Sequence, residues 1–296
     1  DAVIMQEDCS STSGDDNTVR CNDSIKPWEN IRLKGEDVRE GDPLITAGTR
    51  ITAGTIGLLA ATGHDSVEVG LMPKVGLLST GSELVEPPGE LQPGKIYESN
   101  RDMLVSLVAK ANGLPTPYPI VPDMLEDTVT ALEQAFADND AVLTSGGVSV
   151  GDHDHVKPAI ERLGGSLDFW KVAVKPGKPF VLGQVGGKPV FGMPGNPVSA
   201  LVTYLLLVRP ALLNMQGAAE WRLAKRPGCL VDELANKGNR RHFVRVTIDD
   251  HGLVRSVGGQ RSHMLGSLAK ANGLVDLPPG TRLAKGDPVN VQLIDT

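Results

Sequence analysis

The residues best placed for chemistry in this 296-residue chain are acids and lysines set beside glycine and proline. The string G-D-H-D-H over residues 151–155 spaces Asp152 and Asp154 by two, so an extended segment turns both carboxylates to one side. Asp123 and Glu83 lie just beyond other strand-like runs. Four such acids at one sheet edge suit Mg²⁺, which takes carboxylates plus substrate phosphates and keeps some of its waters. The His/Asp alternation also admits zinc, although it has no cysteine partner and no usual ligand spacing. A plainer reading has Asp152 and Asp154 capping a helix that starts near Val156.

The lysines come in K-V-A-V-K-P-G-K-P-F, residues 171–180. Lys171 and Lys175 are four apart, so on one strand they share a face, and Lys178 follows a Pro-Gly bend. Pro176 and Pro179 restrict the backbone before any ligand arrives. At an effective dielectric of ~20, a lysine about 4 Å from a unit anion contributes roughly 4 kcal/mol. The formal net charge of −7 acts from farther away and is screened over about 8 Å. The alternative is an exposed strand with solvated lysines.

Two glycine-bearing loops follow apolar runs. L-L-S-T-G-S-E-L offers Thr80 and Gly81, and L-T-S-G-G-V-S-V-G offers Ser145, Gly146, Gly147 and Ser149. Such loops turn backbone N–H groups toward phosphate, or they are simply tight turns. In G-M-P-G-N-P, Asn196 and Pro197 read as a helix start whose N–H groups face an anion; that start does not account for Pro194 and Gly195. Arg240, Arg241 and Arg245 sit on one strand-like run, either as oxyanion forks or as an exposed basic face.

The elements that must position these residues follow an α/β grammar from Lys74. Strands are predicted over 75–79, 118–121, 141–144, 169–174 and 180–182, and helices over 100–111, 125–137, 156–163 and 198–215. Such a sheet binds ligands at its strand ends. After Pro227 only strands and turns recur, over 243–248, 253–257 and 289–294. Residues 1–30 offer one short apolar run and the polar tract of 10–17, a hairpin loop or a frayed connector; 31–72 read as an extended linker with a short helix near 56–61. The hexapeptide A-K-A-N-G-L occurs at 109–114 and 269–274, and a helix end with its glycine in the left-handed position explains both copies.

Length implies more than one domain, and 40% hydrophobic with 22% charged residues is the composition of a globular protein. An acidic chain without a basic block argues against nucleic acid as the main partner. The apolar run of 200–208 is far short of a membrane span, so no membrane is expected. Cys9, Cys21 and Cys229 form neither a CxxC motif nor an even set, which favours reduced thiols over a Cys9–Cys21 disulfide and points to a cytoplasmic protein.

Taken together, T-S-G-G-V-S-V-G-D-H-D, F-W-K-V-A-V-K-P-G-K-P-F, G-M-P-G-N-P-V-S-A and G-S-L-A-K-A-N-G-L resemble the MoeA family of molybdopterin molybdenumtransferases, which includes the gephyrin E domain. The similarity runs in order from A-V-I-M-Q-E to the C-terminal strands. It implies a three-layer α/β/α molybdopterin-binding domain over 74–217, preceded by the tail of a β-rich domain (1–35) and an extended linker (36–73), and followed by a small β-barrel-like domain (218–296). It implies Mg²⁺-dependent insertion of molybdate into adenylylated molybdopterin with release of AMP. Asp123, Asp154, Lys171 and Lys175 would be catalytic, and Glu83, Asp123, Asp152 and Asp154 would hold the metal. Thr80, Gly81, Ser145, Gly146, Gly147, Ser149, Pro194, Asn196 and Pro197 would bind the substrate. Lys175, Lys178, Pro179, Arg245 and Ser262 would hold molybdate. The resemblance also implies a homodimer that works with a molybdopterin adenylyltransferase and apo-molybdoenzymes. Two family segments, G-F-D-N-S-A-M-D-G-Y-A and M-T-G-A-P, have no counterpart here, so the fragment is expected to fold without being fully active.

Overall fold

The structure is a computed structural model that describes residues 1–11, 18–148 and 154–294. The chain divides into two compact units, Asp1–Thr46 with Ile51–Val67, and Ala47–Arg50 with Glu68–Thr296. In the first unit, β1 (Cys9–Ser11) and β2 (Val19–Cys21) pair as an antiparallel hairpin after a short 3-10 turn at Gln6–Asp8. Helix α1 (Ala53–Ala61) is capped by the Thr52 hydroxyl, which accepts from Thr55 N–H at 3.3 Å.

The second unit opens with β3 (Lys74–Ser79), then the small parallel pair β4 (Leu84–Val85) and β5 (Ile96–Tyr97), and helix α2 (Asn100–Lys110). Next come β6 (Leu114–Pro117), α3 (Leu125–Asp138), β7 (Ala141–Ser145), α4 (Val156–Arg162) and β8 (Ser166–Trp170). After β9 (Val174–Lys175), the hairpin β10 (Val181–Val185) and β11 (Lys188–Met193) leads into α5, Pro197–Met215. The main sheet has the order β6-β3-β7-β11-β10-β8, parallel through its first four strands and antiparallel in the last two pairings.

Strand period explains the layers. Val75 and Leu77 of β3, with Ala141 and Leu143 of β7, face α2 and α5; Leu78 and Val142 face α3 and α4. The third layer is therefore as expected. Helix α5 is apolar enough by length and composition to cross a membrane, yet 56% of its apolar window is buried in this domain, where Tyr204 Oη donates to Leu107 O at 2.8 Å. Pro210 has no N–H to continue the ladder, and the helix widens to a π-turn over Tyr204–Val208 just before it.

The remaining strands are β12 (Lys225–Leu230), β13 (Leu234–Ala235), β14 (Arg241–Ile248), β15 (Leu253–Ser256), β16 (Gly273–Leu277), β17 (Arg282–Leu283) and β18 (Pro288–Leu293), with the short helix α6 (Leu265–Leu268) after β15. Five of them close as β12-β18-β16-β14-β15 and back to β12, around Val244, Val246, Val275 and Val291. Phe243, on the outer face of β14, joins the α2/α5 core, so barrel and sheet share packing.

Three local expectations change. The strand placed at 118–121 lies at Leu114–Pro117, and Val121 keeps only a parallel bridge to Thr80. The strand placed at 169–174 stops at Trp170, because Lys171 has φ 81°, in the left-handed region; the chain resumes as β9 in the barrel's sheet. In the first A-K-A-N-G-L copy Asn112, with φ 56°, takes the left-handed position, not Gly113. The second copy needs its glycine for space: a Cβ on Gly273 would lie 2.1 Å from Val291 Cγ1.

Candidate functional site

The chain runs from β3 through α2 to β6 on one side, then through α3 to β7 on the other. That reversal opens a crevice beyond the C-terminal ends of β3 and β7, where doubly wound sheets bind ligands. Its walls are the loops after Ser79, Ser145 and Met193. Thr80 N–H donates to Ser145 O at 3.0 Å, and Gly146 N–H donates to Met193 O at 3.1 Å, so the three strand ends are tied edge to edge. Gly146 (φ 91°) and Gly147 (φ 65°) are obligatory here. A Cβ on the first would meet Thr80 O at 2.5 Å, and one on the second would meet Thr80 Oγ1 at 2.8 Å.

Asn100, the first residue of α2, joins the walls. Its Nδ2 donates to Ser145 Oγ at 2.8 Å and to Gly195 O at 2.7 Å. Its Oδ1 and the Thr80 hydroxyl are buried without a hydrogen-bond partner, two polar atoms that call for a ligand at this edge. Ser99, at the N-cap position of α2, makes no capping bond with its side chain. The cap is instead the Glu98 carboxylate, which accepts from Arg101 N–H at 2.9 Å and from Ser79 Oγ at 3.0 Å. Arg101 in turn donates to Glu86 at 2.5 Å, which holds the Glu86 carboxyl below its usual range and the guanidinium above its own.

Of the expected acids, Asp123 Oδ2 accepts from Ser82 N–H at 2.8 Å, which fastens the loop after β6 to the loop after β3, next to Glu83. Asp154 is half-buried just before α4. Ser149 and Asp152 lie outside the described residues. Among the described residues no three of His, Cys, Asp and Glu cluster as a ready metal cage. Two carboxylates at one loop pair are nevertheless a donor set Mg²⁺ can use when phosphate oxygens supply the rest, so the residues fit that ion as a substrate-completed site.

The lysine segment forms a second surface. Lys171 N–H donates to Phe180 O and Val172 N–H to Lys178 O, both at 3.0 Å, so residues 171–180 double back on themselves. Lys171 and Lys175 therefore do not share a strand face: the first sits at the turn after β8, the second in β9, which pairs with Arg241 and His242 of β14. Gly177 (φ 114°) lets the bend pass Thr203, whose Cγ2 would lie 2.6 Å from an added Cβ. The result is a cleft of about 590 Å³ lined by Lys175, Lys178, Pro179, Asn196, Arg240, Arg261, Ser262 and His263, among others. Among the described residues no carboxylate lines it. It is suited to a compact oxyanion.

Among the described residues Arg245 is the largest fully buried side chain, 1% exposed, and it stands behind the cleft instead of lining it. Its Nη2 donates to Gly259 O at 2.7 Å and Arg261 O at 3.1 Å, while Gln260 Oε1 accepts from its backbone N–H at 3.0 Å. It thus shapes the loop that presents Arg261 and Ser262, and its Nε and Nη1 have no acceptor. An exposed basic face describes Arg241, paired with Asp276 at 2.6 Å, but not Arg245. The α5 N-terminus is less open than expected: Val198 N–H donates to Ser262 O at 3.1 Å. Pro194 is buried, and the loop of residues 193–197 belongs to both surfaces, through Gly195 at the crevice and Asn196 at the cleft.

The chain matches three family models in order: the MoeA N-terminal region (domain I and II) over residues 1–63, the probable molybdopterin binding domain over 76–214, and the MoeA C-terminal region (domain IV) over 228–294. It is 39% identical over 282 residues to the molybdopterin molybdenumtransferase of Haemophilus influenzae, covering 94% of this chain and 69% of that protein. It is 35% identical over 301 residues to the enzyme of that name from Staphylococcus epidermidis, covering 100% of this chain and 71% of the relative. The crystal structure of the molybdopterin biosynthesis moeA protein from Pyrococcus horikoshii OT3 superposes with a TM-score of 0.80 at 32% identity, covering 99% of this chain and 71% of that one.

Proposed function

Because the chain belongs to the MoeA family, enzymes of molybdenum cofactor biosynthesis, we propose that it inserts molybdate into adenylylated molybdopterin in a Mg²⁺-dependent reaction that releases AMP. The observation that carries this reading is the loop of residues 193–197, which is shared by a phosphate-suited crevice and a cationic cleft with room for a tetrahedral oxyanion.

In this reading the loops at Thr80–Gly81 and Ser145–Gly147 hold the phosphates, with Thr80 Oγ1 and Asn100 Oδ1 as the unfilled polar atoms. Lys175, Lys178 and Ser262 hold molybdate, with Arg245 fixing the loop that carries Ser262 from behind. Glu83, Asp123 and Asp154 would hold Mg²⁺, which neutralises phosphate charge when bound; Asp152 completes that proposed set. Lys171 and Lys175 offset the negative charge that grows on the phosphoanhydride as AMP departs. We further propose a cytoplasmic homodimer that receives substrate from a molybdopterin adenylyltransferase and passes product to apo-molybdoenzymes.

The test is appearance of AMP from adenylylated molybdopterin in the presence of Mg²⁺ and molybdate. AMP that depends on molybdate, disappears in Asp123→Asn and needs far more molybdate in Lys175→Ala supports the proposal. Consumption of ATP in place of the adenylylated substrate would assign the chain to the adenylyltransferase step instead.

A further inference from the structure

Cys9 and Cys21 have no part in the proposed reaction, yet the hairpin sets them directly opposite each other. Asn22 N–H donates to Asp8 O at 2.8 Å, which makes residues 8 and 22 a hydrogen-bonded pair. Pairs alternate along an antiparallel ladder, so Cys9 and Cys21 form a non-hydrogen-bonded pair, the kind whose Cα atoms approach to about 4.5 Å. A disulfide requires Cα atoms about 4.4–6.8 Å apart, so the backbone already stands within range. The register is pinned by the side chains of Ser10 and Asn22, whose Oγ and Nδ2 are 3.3 Å apart. Both are free thiols.

We propose that Cys9 and Cys21 are a reversible dithiol–disulfide site, closed by low-molecular-weight disulfides such as oxidised glutathione. Cys21 is the more exposed of the two and reacts first. Its thiolate attacks one sulfur of glutathione disulfide and expels one glutathione thiolate. The Cys9 thiolate then attacks the Cys21 sulfur of the mixed disulfide and expels the second glutathione. The two protein thiols lose two electrons and their protons, and one glutathione disulfide becomes two glutathione thiols. Partial burial, the Cys21 sulfur and the neighbouring Asp8 and Glu7 all hold the Cys9 thiol above its ordinary pKa, so closure speeds up as pH rises. Closed, the bond locks the β1–β2 register.

The third cysteine, Cys229, lies on β12 and donates to Gly286 O at 3.2 Å. Substituting it isolates the pair. The experiment incubates the full chain carrying Cys229→Ser with a glutathione redox couple and follows thiol content, intact mass and non-reducing peptide maps. The expected result is loss of both thiols together, with a mass lower by two hydrogens and a single peptide linked through residues 9 and 21. The intramolecular form should exceed the glutathione adduct by about tenfold or more, because the second thiol is held at high effective concentration. Adding Cys9→Ser or Cys21→Ser should stop the reaction at a mixed disulfide. Persistence of both thiols, accumulation of glutathione adducts in the Cys229→Ser chain, or disulfide-linked dimers would each overturn the proposal.

Discussion

His242 makes the stability of the barrel depend on mild acid. It lies on β14, 7% exposed, opposite Lys175 of β9 and Leu277 of β16, and its Nε2 has no hydrogen-bond partner. Burial, followed by the charges of Lys175, Arg245 and Arg240, lowers its pKa to about 4 from an ordinary 6.5. Above pH 6.5 the imidazole is neutral in the folded and the unfolded chain and has no effect. As pH falls from 6.5 toward 4 the unfolded chain binds a proton that the folded one refuses, so stability is lost through that window. Each pH unit across that window removes about 1.4 kcal/mol, so the full loss is about 3 kcal/mol, of which about 2 kcal/mol falls between pH 7 and pH 5. Urea denaturation at pH 7, 6 and 5 should show this loss in the native chain. His242→Leu should remove most of the slope while leaving stability at pH 7 within about 1 kcal/mol, since the imidazole makes no bond there through Nε2. An unchanged slope in the variant would refute the reasoning. Molybdate should flatten the slope in the native chain, because an anion near Lys175 and Arg240 offsets the charges that lower this pKa.

Three other outcomes follow from the same geometry. Gly146→Ala forces a side chain into the left-handed region against Thr80 O and should cost about 2 kcal/mol or more in urea denaturation, with loss of substrate binding. Asn100→Ala removes the bridge from Ser145 to Gly195 and should cost about 1–3 kcal/mol; the KM for adenylylated molybdopterin should rise as the loops separate. Lys175→Ala should raise the molybdate concentration that half-saturates AMP release by about tenfold or more without lowering Tm, because Lys175 is exposed and most of its ~4 kcal/mol interaction is screened by water.

The sequence made the layered architecture legible because apolar period decides it. Val75, Leu77 and Leu78 declare both faces of a central strand, and the helices 100–111, 125–137 and 198–215 emerge within a residue or two of their observed ends. What it concealed was backbone handedness and long-range contact. A positive φ at Lys171 leaves no mark in residue type, so two lysines four apart looked like one strand face when they end one sheet and join another. Asn112 beside Gly113 disguised which residue turns the chain. Asn100 has the sequence signature of a cap, and its bonds to residues 45 and 95 positions away become visible only when the strands assemble. Arg245 was legible as a cation, but not as a buried one that works on carbonyls behind the cleft.

The central claim is that a compact oxyanion sits in the cleft beside the phosphate crevice. A crystal of the chain grown with tungstate, imaged by anomalous scattering, tests it most directly. The expected result is a single ordered peak in contact with Lys175, Lys178 and Ser262, lost in Lys175→Ala crystals. A cleft left without a peak at saturating tungstate, or a peak bound elsewhere and indifferent to Lys175, would contradict it.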